Sequence, residues 1–361
     1  YILLMNADST VKQRFKWNAL SPDLAAALST AGLSLADDQF GSAIAYLGDL
    51  DGAGPSDFAL AVGAWYDDGL GGTDRGAVYI LFMDQSPLQV LSVSKIGDGV
   101  GGFPSGQLSD FDYFGNDVEA AGDIDGDGVV DLAVGAHLDD TIGSNSGGVW
   151  ILFLNQNGTV KASPPVQILV SPSTAGDFVG LGIASLGLFD GDGVPDLAVS
   201  ATRRDVGGPD RGAVWILTLN ANGTVKTQTE ISPGVGGLPA GLLEDDDRFG
   251  RGLEVLPDLD GDGTVELVVG ANRDDDAGFR TGAVYALFLT PSGTTEKVVQ
   301  LAPQPDVLFN ELNDNDRFGL AIAPVGDLDG DGNLEIAVAA PLDNDGAGDA
   351  GAFYVLHTAT P

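Results

Sequence analysis

A short acidic, glycine-rich segment recurs five times along the 361-residue chain. The copies read GDLDGAGPSD from Gly48, GDIDGDGVVD from Gly122, GLFDGDGVPD from Gly187, PDLDGDGTVE from Pro257 and GDLDGDGNLE from Gly326. Successive copies lie 74, 65, 70 and 69 residues apart, and a period of this length indicates one supersecondary unit per repeat. We place the starts of the repeats near residues 36, 110, 174, 245 and 314, within one predicted domain over 1–361.

Each repeat carries four β-strand patterns. A short apolar run such as FGSAIAYLG precedes the acidic segment, and a second run such as DLAVGA follows it. A third, such as GAVYILF, is rich in aromatic and aliphatic residues, and a weaker, alternating fourth follows a turn such as NQNG. Four antiparallel strands per repeat are typical of a propeller blade. The predicted fold is therefore an all-β propeller with five visible blades, with the alternating fourth strand at the outer edge of each blade.

The two ends of the chain complement each other. Residues 1–35 read as a partial repeat with a third and a fourth strand, whereas the last repeat stops after its third strand, GAFYVLH. We expect Thr10 to Ala19 to supply the missing outer strand of the last blade, which would close the ring and cover an open sheet edge. Two alternatives remain: the chain is part of a longer array or of a six- or seven-bladed propeller, or the spare strand pairs with a neighbouring molecule.

The acidic segments predict metal-binding loops. Acids stand at the first, third, fifth and ninth loop positions, and the intervening glycines permit the positive-φ turns that let them converge. Hard oxygen ligands in this number suit Ca²⁺, and carboxylates this close repel one another without a cation. The predicted ligands, in about five sites, are Asp49, Asp51, Asp57, Asp123, Asp125, Asp127, Asp131, Asp190, Asp192, Asp196, Asp258, Asp260, Asp262, Glu266, Asp327, Asp329, Asp331 and Glu335. Ala53 and Leu188 replace an acid in the first and third loops, where we expect weaker binding.

Composition excludes several classes of protein and site. The chain has 53 Asp and Glu against 16 Lys and Arg, a net charge of -37, which argues against nucleic acid and anionic membranes as partners. The absence of Cys excludes disulfide scaffolds and thiolate metal sites. No apolar run is long enough to predict direct membrane insertion. Arg75, Arg211 and Arg280 each stand just before a third strand and are expected to pair with neighbouring acids.

Phe-Gly pairs precede four of the acidic loops, at Phe40, Phe114, Phe249 and Phe318. With the acidic loop and the Gly-Ala pattern that follows it, this order resembles the FG-GAP repeat of integrin α-subunit β-propellers, in its regular bacterial form. The resemblance covers nearly all of the chain after residue 35. It implies a propeller with Ca²⁺ in loops on one face, each loop joining the first two strands of a blade.

The chain also departs from the family pattern. Integrin propellers have seven blades, whereas five repeats are visible here. The third repeat reads Phe178-Val179-Gly180 at the Phe-Gly position. The residues at the position where the family has Pro are Trp65, His137, Thr202 and Asn272 in the first four repeats.

The sequence predicts a protein that is not an enzyme, because no residue breaks the repeat in the way that an active site usually does. Our leading interpretation is a calcium-stabilised, extracellular or cell-surface adhesion module that binds a protein or glycan ligand on its loop face. A structural surface or filament protein, self-associating through its N-terminal strand, is one alternative. A propeller lectin or enzyme is the other.

Overall fold

A computed structural model describes residues 2–5, 11–16, 21–35, 38–54, 57–162, 164–304, 308, 311–328, 330, 332–344, 348 and 350–357. The N-terminal elements are two strands that form a two-stranded sheet, β1 (Ile2–Met5) and β2 (Val11–Phe15), and the helix α1 (Pro22–Ala31). Five sheets then follow one another along the chain, one for each repeat.

The first four sheets have four strands each, hydrogen-bonded in chain order. The strands of the first two are β3 (Phe40–Gly48), β4 (Asp57–Ala64), β5 (Ala77–Gln85) and β6 (Leu88–Gly97), then β7 (Phe114–Gly122), β8 (Asp131–Ala136), β9 (Gly148–Leu152) and β10 (Val166–Ile168). Those of the next two are β11 (Val179–Gly187), β12 (Asp196–Ala201), β13 (Ala213–Leu219) and β14 (Val225–Ile231), then β15 (Phe249–Leu256), β16 (Glu266–Ala271), β17 (Ala283–Leu289) and β18 (Thr295–Ala302). The fifth sheet contains β19 (Ile322–Gly326), β20 (Glu335–Ala340) and β21 (Ala352–His357). The fold is thus a β-propeller of antiparallel blades, as the repeat pattern predicts.

The chain divides into two compact units, with the boundary inside the third blade. The first unit comprises Phe15–Leu197 and Thr218–Thr227, and the second comprises Ile2–Arg14, Ala198–Leu217 and Gln228–Pro361. In the first unit, one core cluster joins the first and second blades and includes Leu47, Ile80 and Phe114. In the second unit, a core cluster includes Val284, Phe318 and Ile336.

Burial follows the predicted order of strands within a blade. Every residue of β8, β13 and β17 is buried, which agrees with their largely apolar sequences. In the fourth strand β14 every residue before the last, Ile231, is exposed or half-buried. The alternating fourth-strand pattern therefore predicted the edge strand of the blade correctly.

The Phe-Gly pair joins successive blades. Phe114 and Phe249 are fully buried, and each pairs in parallel with the glycine that precedes the third strand of the preceding blade, Gly76 and Gly212. In the third repeat Val179 takes the buried position of this phenylalanine and pairs in the same way. The third repeat therefore has Val179 in place of the buried phenylalanine and keeps the backbone pairing between blades.

The helix α1 lies outside the repeats, and the repeat pattern did not predict it. Pro22 stands at its N-terminus, and Gly32 ends it in the left-handed conformation with φ 69°. Leu24 and Leu28, four residues apart on one helix face, are buried in a core cluster with residues of β4 and β5. The carboxylate of Asp23 accepts a hydrogen bond from the amide of Val90 in β6 at 3.0 Å.

The predicted closing strand is described only in part. In the described residues β2 pairs with β1, and the fifth sheet has three strands that end at β21. Residues 6–10 and 17–20 of the predicted strand and its approach lie outside the described residues. Closure of the ring by Thr10 to Ala19 stays a prediction.

Candidate metal and ligand sites

The five acidic segments connect the first and second strands of their blades, as predicted. The second and fourth segments bring predicted ligands together. Asp123, Asp125 and Asp131 each offer a carboxylate oxygen within 4.8 Å of the other two. Asp258, Asp260 and Asp262 do the same in the fourth blade. A cation such as Ca²⁺, which takes six to eight oxygen ligands at about 2.3–2.6 Å, would relieve the mutual repulsion of such groups.

The first acid of the loop organises its backbone. The carboxylate of Asp123 accepts hydrogen bonds from the amides of Gly126 at 2.8 Å, Asp127 at 3.0 Å and Gly128 at 2.8 Å. Asp258 likewise bonds the amides at positions four and six of its loop, at 2.6 and 2.9 Å, and so does Asp327, at 2.7 and 3.1 Å. The loop shape is therefore fixed by the same residue in the three loops, with its oxygens facing the loop interior.

The last acid of the loop is buried at the start of the second strand. Asp131 accepts the amides of Ile124 and Leu154, both at 3.0 Å, and burial raises its pKa to about 6. Asp196, Glu266 and Glu335 are buried at the same position. Burial, followed by the repulsion of the loop acids, raises the pKa of Glu266 to about 7. These four acids thus link each loop to the sheet as well as offering ligand oxygens.

Lysine side chains enter two of the loops. The Lys161 ammonium lies 2.6 Å from a carboxylate oxygen of Asp125 and 2.6 Å from one of Asp127. In the third blade, the Lys226 ammonium lies 2.8 Å from both Asp190 and Asp192. The spacing of the acids did not indicate these contacts, although both lysines stand in the same motif, Thr-Val-Lys, which follows the turn after a third strand.

The first and fifth loops are less fully defined. Asp49 and Asp51 are exposed and Asp57 is half-buried, and the structure places no third acid within ligand distance of a pair of them in the described part of this loop. Asp329 and Asp331 of the fifth loop lie outside the described residues. Their assignment as ligands stays a prediction.

A second set of acids, found before each Phe-Gly pair, serves the backbone. Asp112 and Asp247 are buried, and each accepts the amide of the residue three positions earlier, at 2.7 and 2.6 Å. Burial, followed in each case by the repulsion of neighbouring aspartates, raises the pKa of both carboxyls to about 7.

A third set of acids follows the second strand of each blade. There Asp67 and Asp274 accept hydrogen bonds from the hydroxyls of Tyr79 and Tyr285 at 2.7 and 2.6 Å.

The expected arginine pairs form. Arg75 contacts Asp98 at 2.9 Å and Asp110 at 2.8 Å, Arg211 contacts Asp245 at 2.9 Å, and Arg280 contacts Asp246 at 3.2 Å.

Five rings form an aromatic platform in the first unit: Trp65, Tyr66, Tyr113, His137 and Phe178. Trp65 stacks on Tyr66 with ring centroids 5.3 Å apart, and Tyr113 lies 5.5 Å from Trp65 and 5.6 Å from His137. Phe178 extends the row at 5.6 Å from His137. Four of the rings are half-buried and His137 is buried.

The strand order decides where this platform lies. Its residues either precede a first strand or follow a second strand, so each lies at the end of its blade opposite the acidic loop. Two sequence positions could have indicated this platform. One is the variable residue after Gly-Ala, at Trp65 and His137, and the other is the residue before the Phe-Gly position.

Comparison with known proteins agrees with this geometry. The family model of the FG-GAP repeat matches residues 114–152, 189–217 and 318–356. The chain carries FG-GAP repeats. Each matched range ends in the third strand of a blade of this FG-GAP protein, after an acidic loop and a second strand.

The similar curated proteins are integrin α subunits. Integrin alpha-4 of Xenopus laevis is 30% identical over 243 residues, which is 66% of this chain and 20% of the relative. Integrin alpha-3 of Cricetulus griseus is 33% identical over 204 residues, 55% of this chain and 17% of the relative. Integrin alpha-IIb of Homo sapiens is 43% identical over 98 residues, 26% of this chain and 9% of the relative. The FG-GAP chain therefore matches a fifth or less of the length of these relatives.

Among the described residues, no helix has the length and apolar character needed to cross a membrane.

Proposed function

We propose that this FG-GAP propeller is a non-enzymatic, calcium-stabilised module that binds a ligand outside the cell, in adhesion. The single observation that carries the binding function is the aromatic platform. Aromatic side chains combine a large apolar area with little conformational freedom, and they are enriched at the centres of protein interfaces. Similarity to integrin α subunits supports the assignment to adhesion.

Calcium has a structural role in this proposal. A cation held by Asp258, Asp260 and Asp262 would be bound by the folded loop alone, so binding adds stability in proportion to the logarithm of free calcium. Sites of modest affinity would be filled at the millimolar calcium outside cells. The chemistry supplied by the ion is neutralisation of converging carboxylates.

The ligand surface in this proposal differs from the loop face expected from the sequence. The platform lies at the opposite end of each blade, where half-buried rings are available for contact. The acids at the loop end are committed to the loop backbone and to the predicted cation. We therefore place the protein ligand on the platform.

Replacing Trp65 and Tyr113 together by Ala tests this proposal. We expect the double variant to lose at least about tenfold in affinity for a target identified on an array of extracellular-matrix proteins and glycans in 1 mM CaCl₂, because buried aromatic anchors dominate interface energies. Tyr46→Ala is the matched control, since Tyr46 is 62% exposed on β3 outside the platform. Binding that is equally strong in all three proteins, or absent from the whole array, contradicts the proposed function.

The lysines in the loops lead to a prediction about relative calcium affinity. Lys161→Gln should bind calcium in the second loop about tenfold more tightly, because the ion no longer displaces an ammonium held by two charge-assisted hydrogen bonds. Calorimetric titration of calcium into both proteins measures the change. Lys297→Gln is the control, since its ammonium lies 4.3 Å from the ring of Phe288. An unchanged affinity in Lys161→Gln would exclude competition by this lysine.

One observation favours a second candidate, a surface or filament protein assembled by strand exchange. The fifth sheet ends at β21 with three strands in the described part of the chain, so that edge offers hydrogen-bonding groups for another strand. Light scattering on the full chain and on a chain lacking residues 1–19 distinguishes the two functions. Assembly that depends on those residues supports strand exchange, whereas a monomer in both cases removes this candidate.

A further inference from the structure

Three arginines of the second unit contact one aspartate, and two further arginines lie close enough to act on them electrostatically. This arginine cluster comprises Arg203, Arg248, Arg273, Arg280 and Arg317, which are five of the ten arginines in the chain. Two oxygens of Asp246 accept Arg273 at 2.7 and 3.1 Å, and they also accept Arg248 at 3.0 Å and Arg280 at 3.2 Å. A concentration of cations like this is unexpected in a chain of net charge -37.

The carboxylates that contact the cluster are each shared by more than one arginine. A second carboxylate, Asp210, lies 3.9 Å from Arg203 and 3.7 Å from Arg248. Four of the five guanidinium groups thus share the carboxylates of Asp246 and Asp210. Nε of Arg317 is buried and has no hydrogen-bond partner among the described residues.

Mutual repulsion and burial act on these side chains. Burial, followed by the charges of Arg273 and Arg203, lowers the pKa of Arg248. Burial and the charges of Arg273 and Arg280 lower the pKa of Arg317. An additional anion beside the guanidinium groups would remove this destabilising interaction.

The backbone holds the cluster in place. The residue positions that precede two Phe-Gly pairs carry Arg248 and Arg317, both in the left-handed region with φ 58° and 56°. Their amides donate to the carbonyl oxygens of Asp210 at 3.1 Å and Arg280 at 3.2 Å. Arg280 also lies over the exposed ring of Phe279, with 4.9 Å between its guanidinium carbon and the ring centroid. The arginines are thus positioned by the ends of neighbouring strands before any ligand binds.

We propose that the arginine cluster is a binding site for the carboxylate side chains of an acidic segment of a partner protein. Guanidinium groups can bind planar carboxylates with two parallel hydrogen bonds. Asp246 shows that the cluster accepts a carboxylate, because both of its oxygens accept hydrogen bonds from Nη1 of Arg273. Charge complementarity selects the partner, because the chain as a whole carries a net charge of -37 and would repel an acidic segment that did not reach the arginines. The ring of Phe279 offers an apolar contact beside the charges.

The proposal goes beyond ligand binding at the aromatic platform and does not depend on it. The test is fluorescence anisotropy of a labelled hexaglutamate peptide, with a hexaglutamine peptide as the neutral probe, in 1 mM CaCl₂ at low and moderate salt. We expect the wild-type chain to bind hexaglutamate, with an affinity that falls as salt rises. The double variant Arg273→Gln, Arg280→Gln should bind it at least about tenfold more weakly.

Two further proteins separate a binding role from a folding role. Arg75→Gln, Arg211→Gln removes the same charge outside the cluster and should bind within about twofold of wild type, because these arginines pair with Asp98, Asp110 and Asp245 and not with Asp246 or Asp210. Arg317→Gln removes a side chain without a partner for its Nε, so it should weaken binding while leaving the calcium-dependent unfolding midpoint unchanged.

Three results would overturn the proposal. These are no binding of hexaglutamate by the wild-type chain, equal binding by the cluster variants and the Arg75, Arg211 control, or equal binding of the neutral peptide.

A hyaluronate hexasaccharide is the last probe of the experiment and tests for an acidic glycan ligand. If it binds the cluster and hexaglutamate does not, the ligand is an acidic glycan and the protein-partner proposal is wrong. None of these outcomes changes the test at Trp65 and Tyr113.

Discussion

Removal of calcium should lower the unfolding midpoint by about 10 °C or more. A site held at a hundred times its dissociation constant contributes about 2.7 kcal/mol, and the second and fourth loops offer two sites in which three carboxylates already converge. Stability falls on calcium removal for a second reason. Asp131 and Glu266 are buried beside the same loop acids and are repelled by them. The measurement is thermal unfolding by circular dichroism in 1 mM CaCl₂ and in EDTA.

The controls separate a bound ion from general screening. With a net charge of -37, any salt weakens repulsion, so both samples need the same ionic strength. MgCl₂ at the same concentration should restore less of the midpoint, because Mg²⁺ demands a smaller and stricter octahedron than these loops provide. Identical midpoints in calcium and EDTA would contradict a structural role for the ion.

Substitution of Gly76 by Ala should destabilise the protein by at least about 4 kcal/mol. A Cβ atom at this position would overlap the carbonyl oxygen and amide of Phe114, where the first and second blades pair through their backbones. Neither group has room to move, because Phe114 is fully buried in the core. The expected change combines this overlap with the cost of a positive φ for Ala, which alone is about 1–2 kcal/mol.

Gly176→Ala isolates the cost of backbone conformation. Gly176 has φ 87°, close to the 89° of Gly76, and a Cβ atom there would meet nothing within 4 Å. Chemical denaturation of both variants in calcium gives the two free energies. If they fall by equal amounts, the contact between Gly76 and Phe114 does not hold the blades together.

The repeat pattern predicted most of the fold because each repeat has the same order of strand and turn patterns. A single Phe-Gly pair or Asp-Gly turn is a weak signal, whereas four Phe-Gly pairs and five acidic turns in one order predict the strand order of a blade. The helix α1 occurs once and outside the repeats, so periodicity carried no information about Leu24 or Leu28. The replacement of the phenylalanine anchor by Val179 became visible only through its burial and its pairing with Gly147.

The acidic loops were predictable in position and only partly in geometry. The spacing of Asp123, Asp125 and Asp131 correctly indicated convergence, since alternate residues of a tight turn face the same side. Nothing in that spacing indicated Lys161, which lies in the connection between β9 and β10 and contacts the loop only in the folded chain. The number of acids in a loop is therefore not enough to predict which loops bind calcium more tightly.

The aromatic platform and the arginine cluster could not be predicted from any single repeat. Apart from Arg280, which precedes a third strand, their members occupy corresponding positions, before the Phe-Gly pair and after the second strand, but the residue types differ among repeats. Tyr113 and Phe178 stand where Arg248 and Arg317 stand in later repeats. Positions that vary among repeats carry no shared sequence pattern, so the repeats do not indicate a site there. The structure brings the side chains at these positions together across neighbouring blades.

The most direct test of the account is the number of calcium ions bound per chain. Equilibrium dialysis against 1 mM CaCl₂, followed by elemental analysis, should find at least two ions on the wild-type protein, and one fewer on the variant Asp258→Asn, Asp260→Asn. Asp245→Asn, Asp314→Asn removes the same charge outside the loops and should retain the wild-type number. A wild-type protein without calcium, or a loop variant that retains every ion, would contradict the assignment of the acidic loops as calcium sites.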